Sequence, residues 1–61
     1  MSDLNILYVE DDPRAAQAVQ ALIAADGDRL AWEQTGTGGL QRAGAESFDV
    51  IILARMLPDI D

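Results

Sequence analysis

Three consecutive carboxylates, Glu10, Asp11 and Asp12, are the residues of this chain best suited to chemistry. They follow an apolar run of strand length and strand composition that ends at Val9. Adjacent carboxylates repel one another, and each disfavours the ionised form of its neighbours unless a cation or hydrogen-bond donors offset the charge. Hard oxygen ligands that carry several negative charges suit Mg²⁺. The first hypothesis is therefore a magnesium site at the end of a strand.

A second interpretation of the same stretch is purely structural. Asp12 is a favourable N-cap residue, and Pro13 suits the first position of a helix. Acidic side chains also stabilise the positive end of the helix dipole. Taken by themselves, these residues favour the opening of a helix over a metal site, and the choice depends on the rest of the chain.

Composition restricts both the fold and the function. The chain has 61 residues, so it can form at most one small domain, which buries only about 60% of its unfolded surface. It contains no Cys and no His, which excludes disulfides, thiolate metal sites and histidine-based catalysis. The formal net charge of −7 argues against direct contact with nucleic acid or with an anionic membrane. No leader is recognisable and no apolar run approaches the roughly 20 residues of a membrane span, so we expect a cytoplasmic protein.

Hydrophobic periodicity and turn residues predict the order strand, helix, strand, helix, strand. The strands are predicted at about residues 5–9, 30–34 and 48–53, and the helices at about 13–25 and 37–45. The third strand has an uninterrupted apolar core, which is typical of a strand covered on both faces. Gly27 is the predicted C-terminal cap of the first helix.

The side chains predicted to face the core follow from the same periodicity. In the first helix they form an apolar stripe of Ala16, Val19, Leu22 and Ile23, and in the second helix they are Leu40 and Ala43. Trp32 and Phe48 are predicted to be core residues, and the hydroxyl of Tyr8 is expected to find a partner at the boundary of the sheet.

The order of elements predicts an α/β, flavodoxin-like fold, as a βαβαβ unit with parallel strand order 2-1-3. Ligands of open parallel sheets bind beyond the carboxyl ends of the strands, at the switch point that lies here between strands 1 and 3. Glu10 and Asp11 follow strand 1, and Ala54 follows strand 3. We therefore expect these three residues at the same edge of the sheet.

Two separated motifs resemble the receiver domains of two-component response regulators. Residues 6–13, Ile-Leu-Tyr-Val-Glu-Asp-Asp-Pro, are similar to the first strand and acidic pair of that family. Residues 48–53, followed by Met56, Leu57 and Pro58, are similar to its third strand and the loop beyond. The resemblance covers essentially the whole chain in register. It implies that residues 1–61 form the N-terminal half of a receiver domain, because the family has a five-stranded (βα)5 fold of twice this length.

The resemblance also implies a role for each residue of the acidic edge. Asp11 would bind Mg²⁺ directly, Glu10 would bind it through water, and the backbone carbonyl of Met56 would be a further ligand. Asp12 matches no ligand and is assigned to the helix cap. Ala54 stands where the family carries the aspartate that accepts the phosphoryl group. Because a methyl group can neither attack phosphorus nor bind a metal, we expect no phosphoryl transfer to Ala54 and a weakened or absent magnesium site.

Partners follow from the resemblance as well. It implies a histidine kinase as the partner of the parent protein, a transcription regulator as that parent, and no enzymatic activity in this segment. Ala54 is compatible with a laboratory substitution in an ordinary regulator. It is also compatible with a pseudo-receiver that acts without phosphorylation as an interaction or dimerisation module. An uncovered third strand would favour self-association or pairing with the missing C-terminal half of the domain.

A nucleotide-binding alternative rests on residues 35–39, Thr-Gly-Thr-Gly-Gly, because a glycine-rich turn that opens a helix can bind phosphate. The spacing does not match a dinucleotide site, since Gln41 stands where the third glycine belongs. The segment also lacks the Lys-Ser/Thr pair of a P-loop. A turn and helix start is the favoured interpretation.

Overall fold

A computed structural model describes residues 3–54, and they form a three-stranded parallel sheet with two helices. The elements are β1 (Asn5–Val9), α1 (Pro13–Ala25), β2 (Arg29–Glu33), α2 (Gly36–Ala45) and β3 (Val50–Leu53). The strand order is β2-β1-β3, and both pairings are parallel. The predicted α/β class, the βαβαβ order and the 2-1-3 sheet are thus confirmed.

The core is centred on β1, the middle strand of the sheet. Leu7 is paired with Ala31 of β2 on one side and with Ile51 of β3 on the other. Leu7 and Val9 on one face of β1 are 0% and 1% exposed, and Ile6 and Tyr8 on the other face are 3% and 6% exposed. This strand is therefore covered on both faces, as its apolar composition predicts. Each such side chain contributes about 1.5–3 kcal/mol when it is fully buried. The end of β1 is therefore the best-anchored point from which a site can be built.

Local signals set both ends of α1. Asp12 is the N-cap, its Oδ1 accepts a hydrogen bond from the backbone N–H of Arg14 at 3.0 Å, and Pro13 is the first helical residue. At the other end Gly27 has φ 82°, and its N–H donates to the carbonyl of Ala24 at 3.0 Å. A glycine adopts this left-handed backbone without the steric penalty of a Cβ. The structure confirms both caps.

The predicted apolar stripes of the helices are partly wrong. Ala16 is fully buried and Ile23 is half-buried, as Val19 is, but Leu22 is 70% exposed. In α2, Ala43 packs against the core, whereas Leu40 is 67% exposed. A sheet of three strands offers each helix only a narrow surface, so only the innermost line of helical side chains is covered.

The glycines of α2 permit close packing of this helix on β1. The helix begins at Gly36, one residue earlier than predicted, because Thr35 is the N-cap and its Oγ1 accepts from the N–H of Gly38 at 3.0 Å. A Cβ at Gly39 would lie 2.5 Å from Cγ2 of Val9. Because a larger residue would push the helix off the strand, this glycine has a packing role. The structure therefore favours the turn and helix start over a nucleotide-binding loop.

The start of the third strand differs from the prediction. The strand begins at Val50, and residues 48–49 precede it. The side chain of Asp49 accepts from the backbone N–H of Asn5 at 2.8 Å, and Asn5 Nδ2 donates to the carbonyl of Ser47 at 2.7 Å. These side-chain hydrogen bonds fasten the residues just before β3 to Asn5 of β1.

Phe48 packs against the core as predicted. The second strand, Arg29–Glu33, lies one residue earlier than predicted at each end.

Within the described part of the chain, one edge of β3 is unpaired and both of its faces are partly exposed. The strand pairs with β1 alone, and its four residues are 36–59% exposed, which is contrary to the expectation of a strand covered on both faces. A hollow of about 190 Å³ with an almost wholly apolar lining lies beside it. It is lined by Leu7, Val9, Gly36, Gly39, Leu40, Ala43, Ile51 and Leu53.

Neither helix of residues 3–54 is long and apolar enough to span a membrane.

Candidate functional site at the carboxyl edge of the sheet

The carboxyl ends of β1 and β3 bring the predicted site residues to one edge. Val9 is paired with Leu53, and the N–H of Ala54 donates to the carbonyl of Val9 at 2.9 Å. The next residue after Val9 is Glu10, so Glu10 and Ala54 leave neighbouring strands side by side. Residues 55–61, which include the predicted ligand Met56, lie outside the described residues.

Glu10 is the most firmly held of the acidic residues, because each of its polar groups has a partner. Its N–H donates to the carbonyl of Glu33 at 2.9 Å, and its carbonyl accepts from Nε1 of Trp32 at 2.8 Å. Its Oε1 accepts from the hydroxyl of Tyr8 at 3.0 Å, and its Oε2 accepts from the backbone N–H of Asp12 at 3.2 Å. The backbone and the side chain of Glu10 are therefore both oriented by the protein.

These hydrogen bonds shift two pKa values in opposite directions. The backbone N–H of Asp12, followed by the hydroxyl of Tyr8, lowers the pKa of Glu10, because hydrogen bonds to a carboxylate favour its ionised form. Burial, followed by the hydrogen bond to Glu10, raises the pKa of Tyr8. At neutral pH Glu10 is ionised and Tyr8 carries its proton. The hydroxyl is therefore the donor and the carboxylate the acceptor.

The other two acids of the run have different environments. Asp12 caps α1, as the structural interpretation proposed, so its side chain is committed to the helix. Asp11 is exposed, and its backbone carbonyl lies 3.5 Å from Nε2 of Gln34, at the limit of a hydrogen bond. Asp11 is therefore an exposed carboxylate next to Glu10, and its side chain does not cap the helix.

The oxygen atoms available as metal ligands at this edge are of the type that Mg²⁺ prefers, but they are few in number. Carboxylate oxygens are the hard ligands that Mg²⁺ prefers, and Glu10 and Asp11 supply them. Between residues 3 and 54, however, no group of three or more His, Cys, Asp or Glu residues could hold a metal ion. Ala54 presents a methyl group that packs, half-buried, against the core. Among the described residues, Glu10 and Asp11 are the carboxylates at this edge that could contact Mg²⁺, with water at the remaining positions.

Two residues of the site were not predicted from sequence. The sequence predicts a partner for the Tyr8 hydroxyl at the boundary of the sheet but does not identify it as Glu10. It predicts Trp32 as a core residue, whereas Trp32 is half-buried and its indole N–H donates to the carbonyl of Glu10. The position of Trp32 could have indicated its contact with Glu10, because Trp32 is paired with Tyr8 in the parallel register of β1 and β2.

Comparison with known proteins gives three informative relatives. The chain is 41% identical over 57 residues to the transcriptional activator protein PfeR of Pseudomonas aeruginosa, covering 93% of the chain and 19% of that protein. It is 36% identical over 58 residues to the transcriptional activator protein IrlR of Burkholderia pseudomallei, covering 95% of the chain and 25% of that protein. It is 37% identical over 57 residues to the response regulator ArlR of Staphylococcus haemolyticus, covering 93% of the chain and 26% of that protein.

The chain thus spans about a fifth to a quarter of the length of these relatives. No protein-family model matches it. No solved structure matches it either. The three matches align almost all of its residues, and its βαβαβ unit with a 2-1-3 parallel sheet is consistent with half of a flavodoxin-like receiver fold. The chain is therefore homologous, over nearly its whole length, to response regulators.

Proposed function

We propose that this chain is the N-terminal part of a response regulator receiver domain in which Ala54 occupies the phosphoacceptor position. The observation that carries the proposal is the place of Ala54 at the carboxyl end of β3, hydrogen-bonded through its N–H to Val9 at 2.9 Å and beside Glu10. If residues 48–58 correspond to the third strand and following loop of a receiver domain, the acceptor aspartate would stand at this position. A methyl group has no nucleophilic oxygen, so the chain cannot form an aspartyl phosphate there.

The proposed metal site follows from the same edge. Asp11 would hold Mg²⁺ directly, Glu10 would hold it through water, and the carbonyl of Met56 would complete the protein ligands. Both carboxylate oxygens of Glu10 already accept a hydrogen bond, which supports its contact through water. Mg²⁺ held by these residues would supply positive charge to offset the negative charge of a phosphoryl group at the site.

The parent protein is proposed to act in a two-component phosphorelay with a histidine kinase as its partner. Two of the relatives are named transcriptional activators, which supports transcription regulation as the output of the parent. The net charge of −7 supports a role without direct contact to nucleic acid or membrane for this segment. The cytoplasm is the proposed location, and no enzymatic activity is proposed for this segment.

Phosphoryl labelling tests the main proposal. The full-length parent protein, carrying Ala54 or the variants Ala54→Asp and Ala54→Asn, is incubated with acetyl phosphate and Mg²⁺. We expect phosphate on Ala54→Asp only, because Ala54→Asn matches the shape of aspartate without its nucleophilic carboxylate. Phosphate on the alanine form would refute the proposal. Glu10→Gln and Asp11→Asn variants of that form would then identify the substitute acceptor.

Calorimetric titration with Mg²⁺ tests the metal site. Ala54→Asp should bind Mg²⁺ more tightly than the chain as it stands, because it adds one charged oxygen ligand. Ala54→Asn separates charge from size and should recover less of the affinity. Equal affinities for all three forms would show that position 54 does not face the metal.

A second candidate function is a pseudo-receiver that works by association without phosphorylation. Ala54 and the exposure of β3, whose four residues are 36–59% exposed, both favour it. The proposed partner that covers β3 is a second copy of the chain or the C-terminal half of the receiver domain. Codon 54 of the parent gene discriminates the two functions. An alanine codon favours the pseudo-receiver, whereas an aspartate codon shows that Ala54 was substituted into an ordinary regulator.

A further inference from the structure

Glu10 is held by two aromatic side chains that come from different strands. The hydroxyl of Tyr8, in β1, donates to the carboxylate at 3.0 Å, and the indole of Trp32, in β2, donates to the carbonyl at 2.8 Å. Tyr8 is 6% exposed and Trp32 is half-buried. Neither ring can turn away without leaving a sheltered polar group unpaired, which proteins avoid.

This arrangement removes most of the freedom of Glu10 before any ligand arrives. A glutamate side chain that is free in solution loses much rotamer entropy when it is fixed at a binding site. A carboxylate that is already oriented binds its ligand with a smaller loss of entropy. Each carboxylate oxygen has two lone pairs, so Oε1 can accept from Tyr8 and still contact a water molecule.

We propose that Tyr8 and Trp32 are positioning residues for the cation site at the end of β1. The inference rests on the proposed function, because the cation is the Mg²⁺ assigned there to Asp11 and Glu10. Tyr8 orients the carboxylate of Glu10 toward metal-bound water. Trp32 holds the carbonyl of Glu10, and with it the peptide that leads to Asp11. Partners of direct metal ligands commonly change metal affinity by 10–100-fold when they are removed. Because Glu10 contacts the cation through water, its own partners should act at or below the lower end of that range.

The experiment uses the full chain with Ala54→Asp as the background and MgCl₂ as the only added ligand. Calorimetry gives the dissociation constant for Mg²⁺ in that background and after the further substitutions Tyr8→Phe and Trp32→Phe. The matched control is Asn5→Ala, which removes a 2.7 Å side-chain hydrogen bond to Ser47 at the opposite end of the same strand. Circular dichroism identifies a temperature and concentration at which every variant is folded.

Each aromatic substitution should raise the dissociation constant measurably, by up to about tenfold, and Asn5→Ala should leave it unchanged. Trp32 is the single tryptophan of the chain, so its indole N–H resonance can be assigned at once. That resonance should shift on addition of Mg²⁺ in the background and in Asn5→Ala, and should shift less in Tyr8→Phe. A shift is a local readout that a general loss of stability would not produce.

Unchanged dissociation constants in both aromatic variants would overturn the inference while leaving the metal site intact. An equal rise in Asn5→Ala would overturn it too, because the effect would then follow stability and not position. If Ala54→Asp bound no Mg²⁺ at all, the proposed metal site would fail and the positioning roles would fail with it. The two failures are therefore distinguishable in one set of titrations.

Discussion

Alanine substitution at the glycines of α2 should change stability in opposite directions at two positions of the same helix. A Cβ at Gly39 would meet Cγ2 of Val9 at 2.5 Å, whereas a Cβ at Gly44 has no heavy atom within 4 Å. Val9 is 1% exposed and β-branched, so it can neither move outward nor change its rotamer easily. Gly39→Ala therefore overpacks the core, and Gly44→Ala changes only the helix itself.

The magnitudes follow from two competing effects. Replacing glycine by alanine inside a helix stabilises the protein by about 0.5–1 kcal/mol. Overpacking a buried contact destabilises it by about 1–3 kcal/mol. Gly44→Ala should raise the free energy of unfolding by about 0.5–1 kcal/mol. Gly39→Ala should lower it, on balance, by about 1 kcal/mol. Since the helix term is common to both, the two variants should differ by about 2 kcal/mol, or roughly 8–16 °C in Tm for a domain of this size.

Gly38 provides an intermediate position. A Cβ there would lie 2.7 Å from Oε1 of Glu33, which is the end of a flexible side chain and can move. That movement would disturb the 3.0 Å ion pair between Glu33 and Arg42, but an ion pair this exposed contributes only about 0–1 kcal/mol. Gly38→Ala should therefore fall between the other two variants.

Thermal unfolding followed by circular dichroism measures all three differences. The chain concentration must be the same in every scan, because association makes Tm depend on concentration. If Gly39→Ala were as stable as Gly44→Ala, α2 would not lie against Val9 as closely as the structure has it. The packing explanation for this glycine would then be refuted.

Three further predictions concern the helix cap, pH and assembly. Asp12→Ala should lower the free energy of unfolding by about 1 kcal/mol, because the cap of α1 is lost, and denaturant titration would show no change if the cap did not contribute. The pKa of Tyr8 is raised above 10.0, so its contribution to stability is fully present below pH 10 and lost as pH rises through the folded pKa. Tyr8→Phe should abolish this alkaline loss, and tyrosinate absorbance of the folded chain at or below the ordinary pKa would contradict the prediction. With the four residues of β3 36–59% exposed, the isolated chain should sediment as a dimer or larger and lose helical signal on dilution, whereas a folded monomer at all concentrations would contradict this.

The features predicted correctly from sequence depend on neighbouring residues or on general rules of chain topology. Asp12 and Gly27 cap α1 through hydrogen bonds to residues two and three positions away, so a short stretch of sequence contains the whole interaction. The 2-1-3 sheet follows from right-handed crossovers and from an apolar first strand that must be covered on both faces. The edge that brings Glu10 beside Ala54 follows from the same topology.

Only the tertiary structure decided which residues meet across the sheet. The contact of Gly39 with Val9 and the hydrogen bond from Trp32 to Glu10 join residues far apart in the chain, so they depend on strand register and helix placement. Periodicity specifies which face of an element is apolar but not how much of that face its neighbours cover. For this reason Leu22 and Leu40 belong to apolar stripes and are still 70% and 67% exposed above a narrow sheet.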